Sequence, residues 1–176
     1  MYKLVSNLIL SAVLATQFLS TPASMAREFS GIVTRVIDGD TILIDKKRIR
    51  LAGIDAPESD QPYGDESKAF LEYLILDKPV RIIWTETDFY KRIIGYVRIP
   101  KEYGDMNINS TMVLSGAAWS YMVKSDLKLI HYEQEARQYK RGLWSTDKPI
   151  KPSIWRRLKK KPAKTNQLAQ PLILSS

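Results

Sequence analysis

Residues 29–58 read Phe29-Ser30-Gly31-Ile32-Val33-Thr34-Arg35-Val36-Ile37-Asp38-Gly39-Asp40-Thr41-Ile42-Leu43-Ile44-Asp45-Lys46-Lys47-Arg48-Ile49-Arg50-Leu51-Ala52-Gly53-Ile54-Asp55-Ala56-Pro57-Glu58. Three runs rich in β-branched residues (29–37, 41–45 and 48–54) are separated by Asp38-Gly39-Asp40 and Asp45-Lys46-Lys47. Such runs, punctuated by Asp and Gly, predict short strands joined by tight turns. In the third run Ile49, Leu51 and Gly53 share one face, and Arg48, Arg50 and Ala52 share the other. Asp55-Ala56-Pro57-Glu58 ends it, because Pro57 supplies no N–H and pushes Ala56 away from helical geometry.

Downstream, residues 65–76 carry helical periodicity (Ala69, Phe70, Tyr73, Leu74) after Gly64. Two further strands are predicted over 80–85 and 92–99, the latter alternating Ile93, Gly95, Val97 and Ile99. Asn109 is expected to cap a short helix ending near Gly116, and a longer helix over 125–141 stops at Gly142. Five short strands followed mainly by helices predict an α+β domain. Its best fit is a five-stranded OB-fold β-barrel with about three packed helices.

Composition narrows the chemistry. The 176 residues include no Cys and one His. A disulfide scaffold, a Cys-ligated zinc site, a thiol nucleophile and a multi-His metal site are thereby excluded. What remains is chemistry built on carboxylates, Arg, Lys, Tyr and a hard cation. The formal charge of +8 is unevenly placed. Residues 27–147 hold 18 basic and 19 acidic side chains, whereas residues 148–176 hold eight basic side chains and no acid. The surplus therefore belongs to the C-terminal segment, which also has four of the nine prolines and the run Lys159-Lys160-Lys161. That segment reads as a basic, disordered tail with an anchor near Ile154-Trp155. Residues 1–26 read as a signal peptide: Lys3, an apolar stretch from Leu4 to Leu19, then small residues at Ser24 and Ala26. An uncleaved anchor or an amphipathic leader is the alternative. The expectation is bacterial export to the periplasm or medium, with no stable membrane span after cleavage.

Asp40 and Asp55 lie in turns that end adjoining strands, where two loops can offer carboxylate and carbonyl oxygens to a hard cation such as Ca²⁺. Each turn taken alone is also ordinary turn chemistry. Arg50, in mid-strand, and Arg92, opening another, suit bidentate contact with phosphate, or equally a surface ion pair. His131 reads as a surface or half-buried helix residue, and Trp84, Trp119 and Trp144 as packing residues.

These strings together resemble the thermonuclease, or staphylococcal-nuclease-like, family. The matching pieces are Val36-Ile37-Asp38-Gly39-Asp40-Thr41, Arg50 through Glu58, Tyr63-Gly64, Asp88-Phe89-Tyr90-Lys91-Arg92, and Glu135-Ala136-Arg137 with Arg141-Gly142-Leu143-Trp144. They occur in order across residues 29–157. The resemblance implies an OB-fold, Ca²⁺-dependent nuclease acting on the phosphodiesters of DNA and RNA. It implies Asp40 and Asp55 as calcium ligands with the Ala56 carbonyl, and Asp38 as an acid beside them. It also implies Glu58 as the base for the attacking water, and Arg50 and Arg92 on the scissile phosphate. Lys91 stands where the family usually has Gly. The loop from Ser59 to Pro62 is shorter than the prototype's, whose two base-contacting tyrosines fall at Met122, one place from Tyr121, and at Lys124. A monomer is expected. The alternatives are a non-catalytic OB module that binds nucleic acid, and an exported basic protein adhering to anionic surfaces.

Overall fold

The computed structural model describes residues 26–121 and 127–160. The leader expected over residues 1–26 lies outside them except for Ala26, as do Met122, Lys124 and residues 161–176.

β1 (Arg27–Asp38) turns at Gly39-Asp40 into β2 (Thr41–Ile44), with Val36 opposite Ile42 and Val33 opposite Ile44. β2 pairs with β3 (Lys47–Leu51), setting Ile42 opposite Ile49 and Thr41 opposite Arg50. The third strand was expected to run to residue 54. It stops at Leu51 because Gly53 takes φ 72°, a left-handed conformation that breaks strand geometry. The chain then re-enters a two-residue strand, β4 (Ile54–Asp55), and α1 (Gly64–Ile75) buries Leu71, Leu74 and Ile75 against the barrel.

β5 (Pro79–Thr87) pairs antiparallel with the free edge of β1, and β6 (Ile93–Ile99) pairs antiparallel with β5. A parallel seam between β6 and β3, Ile49 to Ile93 through Leu51 to Gly95, closes the ring. β1, β2, β3, β6 and β5 thus form the five-stranded OB-type barrel that the sequence predicts. Closure removes the unpaired edges an open sheet would present. Val33, Ile42, Ile44, Ile49, Leu51, Ile82 and Val97 fill its interior. Each such fully buried side chain contributes roughly 1.5–3 kcal/mol of transfer free energy.

β7 (Met106–Asn107) leads into α2 (Ile108–Leu114). The cap of α2 is Asn107, whose side chain accepts from Ser110 N–H at 3.2 Å, and not Asn109 as expected. Asn109 is instead fully buried: it donates to the carbonyls of Ala52 (2.8 Å) and Gly95 (3.2 Å) and accepts from Val97 N–H (2.9 Å). Loose backbone groups near the β3–β6 seam outcompete the capping role. β8 (Trp119–Ser120) pairs with β4, placing Trp119 opposite Asp55. α3 (Leu127–Gln138) and a 3₁₀ turn (Gly142–Ser145) follow. Trp119 and Trp144 are buried edge-to-face at 4.2 Å, with Arg137 stacked 3.6 Å over Trp144. Trp84 packs half-buried on the barrel core and His131 is exposed on α3.

The expected tail is described only as far as Lys160, and over that part the structure differs from a disordered segment. Residues 152–160 form a helix, α4 (Pro152–Lys160), which starts on a proline whose fixed φ suits the first helical position. No helix among the described residues is long and apolar enough to cross a membrane.

Candidate active site

Gly39 lets the two acidic turns meet. A Cβ there would stand 2.0 Å from Ser67 Oγ and 2.7 Å from Ala56 Cβ. Only glycine can seat the β1–β2 turn against α1 and the 55–58 loop at once. Seated so, the Asp40 carboxylate accepts from Ala56 N–H and from the Thr41 hydroxyl, both at 3.0 Å. Asp38 in turn accepts the N–H of Asp40 at 3.0 Å.

The β2–β3 register brings Arg50 alongside. Its Nη1 pairs with Asp40, while Nη2 donates to Asp55 Oδ1 at 2.9 Å and to the Ile54 carbonyl at 3.3 Å. Asp40 and Asp55 are both buried and the Arg50 side chain is 20% exposed. Burial pushes the Asp40 carboxyl up to about 6; Arg50 and the Ala56 N–H pull down, while Asp38 and Asp55 push further up. Burial works against the Arg50 charge, but Asp40 and Asp55 outweigh it and raise its pKa. Removing either sign would strand the other in a poorly solvated place.

Arg92 faces the same cleft from the start of β6, held by Asp88: Nε donates to Oδ2 and the backbone N–H to Oδ1, at 2.7 and 2.9 Å. Those bonds, with the N–H of Tyr90, overcome the upward push of burial and hold the Asp88 carboxyl below its usual range. Lys91 sits at φ 59°. The turn has a left-handed residue there and accepts the strain of its side chain.

Glu58 does not stand free. Its Oε1 accepts from Arg156 Nη1 of α4 at 2.5 Å, and the same guanidinium spans Asp55 at 3.1 and 3.2 Å. Burial opposes the Arg156 charge, and the hydrogen bonds to Asp55 and Glu58 outweigh it, so its pKa rises. Sequence reasoning missed Arg156, having assigned it to a tail. The available signal was Pro152 at a helix start with Arg156 and Lys160 four residues apart, which sets both on one face.

A cleft of about 420 Å³ collects these groups. Asp40, Arg50, Ala56, Glu58 and Arg92 line it, joined by Tyr90, Tyr121, Arg156 and Lys160. Asp55 lies behind, its carboxylate shared by Arg50 and Arg156. Among the described residues no three His, Cys, Asp or Glu side chains converge as a metal cage. The arginines engage the carboxylates instead. As a donor set, Asp40, Asp55 and Glu58 offer oxygen alone, the chemistry that suits a hard cation.

A family model described as staphylococcal nuclease homologue matches residues 48–146. That span carries Arg50, Asp55, Glu58 and Arg92 but neither Asp40 nor α4. An uncharacterized endonuclease of Escherichia coli is 44% identical over 140 residues, covering 77% of this chain and 90% of its own. The micrococcal nuclease of Shigella flexneri is 38% identical over 163 residues, covering 86% and 94% respectively. A staphylococcal-like nuclease of Arabidopsis thaliana is 34% identical over 122 residues, 69% of this chain and 36% of its own. With the barrel and the arginine–carboxylate cleft in place, these matches establish that the chain belongs to the staphylococcal nuclease homologue family.

Proposed function

We infer that the chain is an exported, Ca²⁺-dependent nuclease that hydrolyses phosphodiester bonds in DNA and RNA. The observation that carries this reading is the convergence of Asp40, Arg50 and Asp55 in one buried network at a cleft that Glu58 and Arg92 also line. The nuclease names of the relatives support the reaction class. Export rests on the leader-like residues 1–26.

Calcium, held by the Asp40 and Asp55 carboxylates and the Ala56 carbonyl, would supply positive charge to the phosphoryl oxygens. The chain's own residues do the rest. Arg50 and Arg92 grip the non-bridging oxygens and stabilise the charge that builds as the phosphorus becomes five-coordinate. Glu58 accepts a proton from the attacking water as its oxygen bonds to phosphorus. The bond to the leaving oxygen breaks, and that oxygen takes a proton from solvent. Tyr90, 72% exposed, and Tyr121 offer ring faces on which unpaired bases can stack. Degradation of single-stranded DNA by the mature chain is expected with calcium and should cease when calcium is chelated. Undiminished cleavage in EDTA would remove calcium from the mechanism, and binding without cleavage under any metal would favour the non-catalytic module.

A further inference from the structure

The proposed chemistry has no use for Arg156, yet α4 is secured to deliver it. Trp155 Nε1 donates to Asp60 Oδ1 at 3.0 Å, and Lys159 pairs with the same carboxylate. Just ahead of the helix, the Ile150 carbonyl accepts from Gln61 Nε2 at 2.6 Å. Held at these points, one guanidinium covers both Asp55 oxygens and one oxygen of Glu58. A cation ligated by Asp55 needs lone pairs that Arg156 is using, and two cations sharing one carboxylate repel. Arg50 also touches Asp55, but it is only 20% exposed and bridges two aspartates, so it is the less free of the two arginines to leave. Arg156 is 42% exposed at the cleft edge, with Lys160 one turn further along the same wall.

We propose that Arg156 is an exchangeable counter-charge: it neutralises Asp55 and Glu58 in the cation-free protein and must withdraw when a divalent cation binds. The proposal rests on the reading of these two carboxylates as the working groups of the site. It makes α4 a cation-sensitive restraint that holds the water-activating carboxylate idle until the cation arrives.

The test is calorimetric titration of calcium chloride into the full chain as wild type, Arg156→Gln and Arg156→Lys. The Gln variant should bind calcium about tenfold more tightly, the effect of losing one modest competing interaction. The Lys variant, which keeps the charge but loses the two-toothed grip, should fall between. Equal or weaker affinity in the Gln variant overturns the proposal, as does calcium binding to neither protein. Should the Gln variant fail to fold by circular dichroism, an affinity in the Lys variant no tighter than wild type is enough to overturn it. Cleavage of single-stranded DNA by wild type judges the nuclease reading separately. Cleavage with equal affinities sinks the counter-charge and leaves the nuclease; tightened affinity without cleavage does the reverse.

Discussion

Arg50 reaches Asp55 from five residues away, inside the barrel wall, and is 20% exposed. Arg156 reaches the same carboxylate across 101 residues, from a helix laid on the surface, and is 42% exposed. Arg50 is framed by backbone, through a strand register and through its second partner Asp40, which a turn that only glycine can make and an N–H from Ala56 hold in place. The Arg156 contact rests on charge, and on a helix tied down through Asp60. A buried pair is over-determined and costly to break, while an exposed one is weak and replaceable. The site therefore combines a rigid half that shapes it with a labile half that can respond.

Five substitutions, one of them followed through pH, probe that division. The largest effect is expected on turnover: Glu58→Gln should lower kcat roughly 10²–10⁴-fold with a much smaller change in substrate affinity. Matching losses in both, read from single-turnover and binding assays, would make Glu58 a structural residue. Arg50→Met, which leaves Asp40 buried without its counter-charge and Asp55 with Arg156 alone, should cost about 3–5 kcal/mol in urea unfolding. A loss no greater than that of an exposed pair would erase the contrast between the two halves.

Asp40 supplies a pH signature. Its folded pKa, about 6, lies above the 3.8 of the free side chain, so the native state holds the proton more tightly than the unfolded chain. Its contribution is thus present below about pH 4 and is lost as pH rises through 6. Each pKa unit is worth about 1.4 kcal/mol. Wild type should accordingly lose stability relative to Asp40→Asn between those pH values; a constant difference across the range would show that Arg50 compensates burial fully. Lys91→Gly should stabilise by roughly 0.5–1 kcal/mol, the relief of a left-handed backbone less the added freedom of glycine in the unfolded chain. A loss instead would show that the lysine side chain makes a compensating contact. Smallest of all, Arg156→Gln should change stability in the absence of metal by a few tenths of a kcal/mol, the ordinary worth of an exposed ion pair. A loss approaching that of Arg50→Met would mean that α4 belongs to the rigid half.

The rigid half was the part legible from sequence. The β-branched runs and the Asp-Gly-Asp and Asp-Ala-Pro-Glu turns state their strands and turns locally, because a strand's alternation and a proline's missing N–H act over a few residues. Arg50 could be placed on a strand face by counting in twos. The labile half was not legible. Arg156 meets Glu58 at a separation of 98 residues, and no local pattern states such a contact. The prolines around α4 pointed to a tail, although Pro152 serves as its first turn. Two-residue strands such as β4 and β8 are too short to show a period, so the pairing of Asp55 with Trp119 was also hidden. Asn109 was misread for a different reason: its amide answers backbone groups of β6 and of the turn after β3, which become neighbours only once the barrel closes.

That asparagine bears on how the molecule loosens. The seam between β3 and β6 consists of three parallel pairs, the shortest join in the ring. Where the pairing runs out, one side chain from α2 stands in for a missing rung, holding Ala52 on one side and Gly95 and Val97 on the other. The barrel is thus latched, at its narrowest join, by a helix. Any fluctuation that lifts α2 unlatches the seam and slackens the backbone immediately before Asp55. Amide exchange at Val97 would therefore report on the same motion that disturbs the carboxylate some 40 residues earlier in the chain.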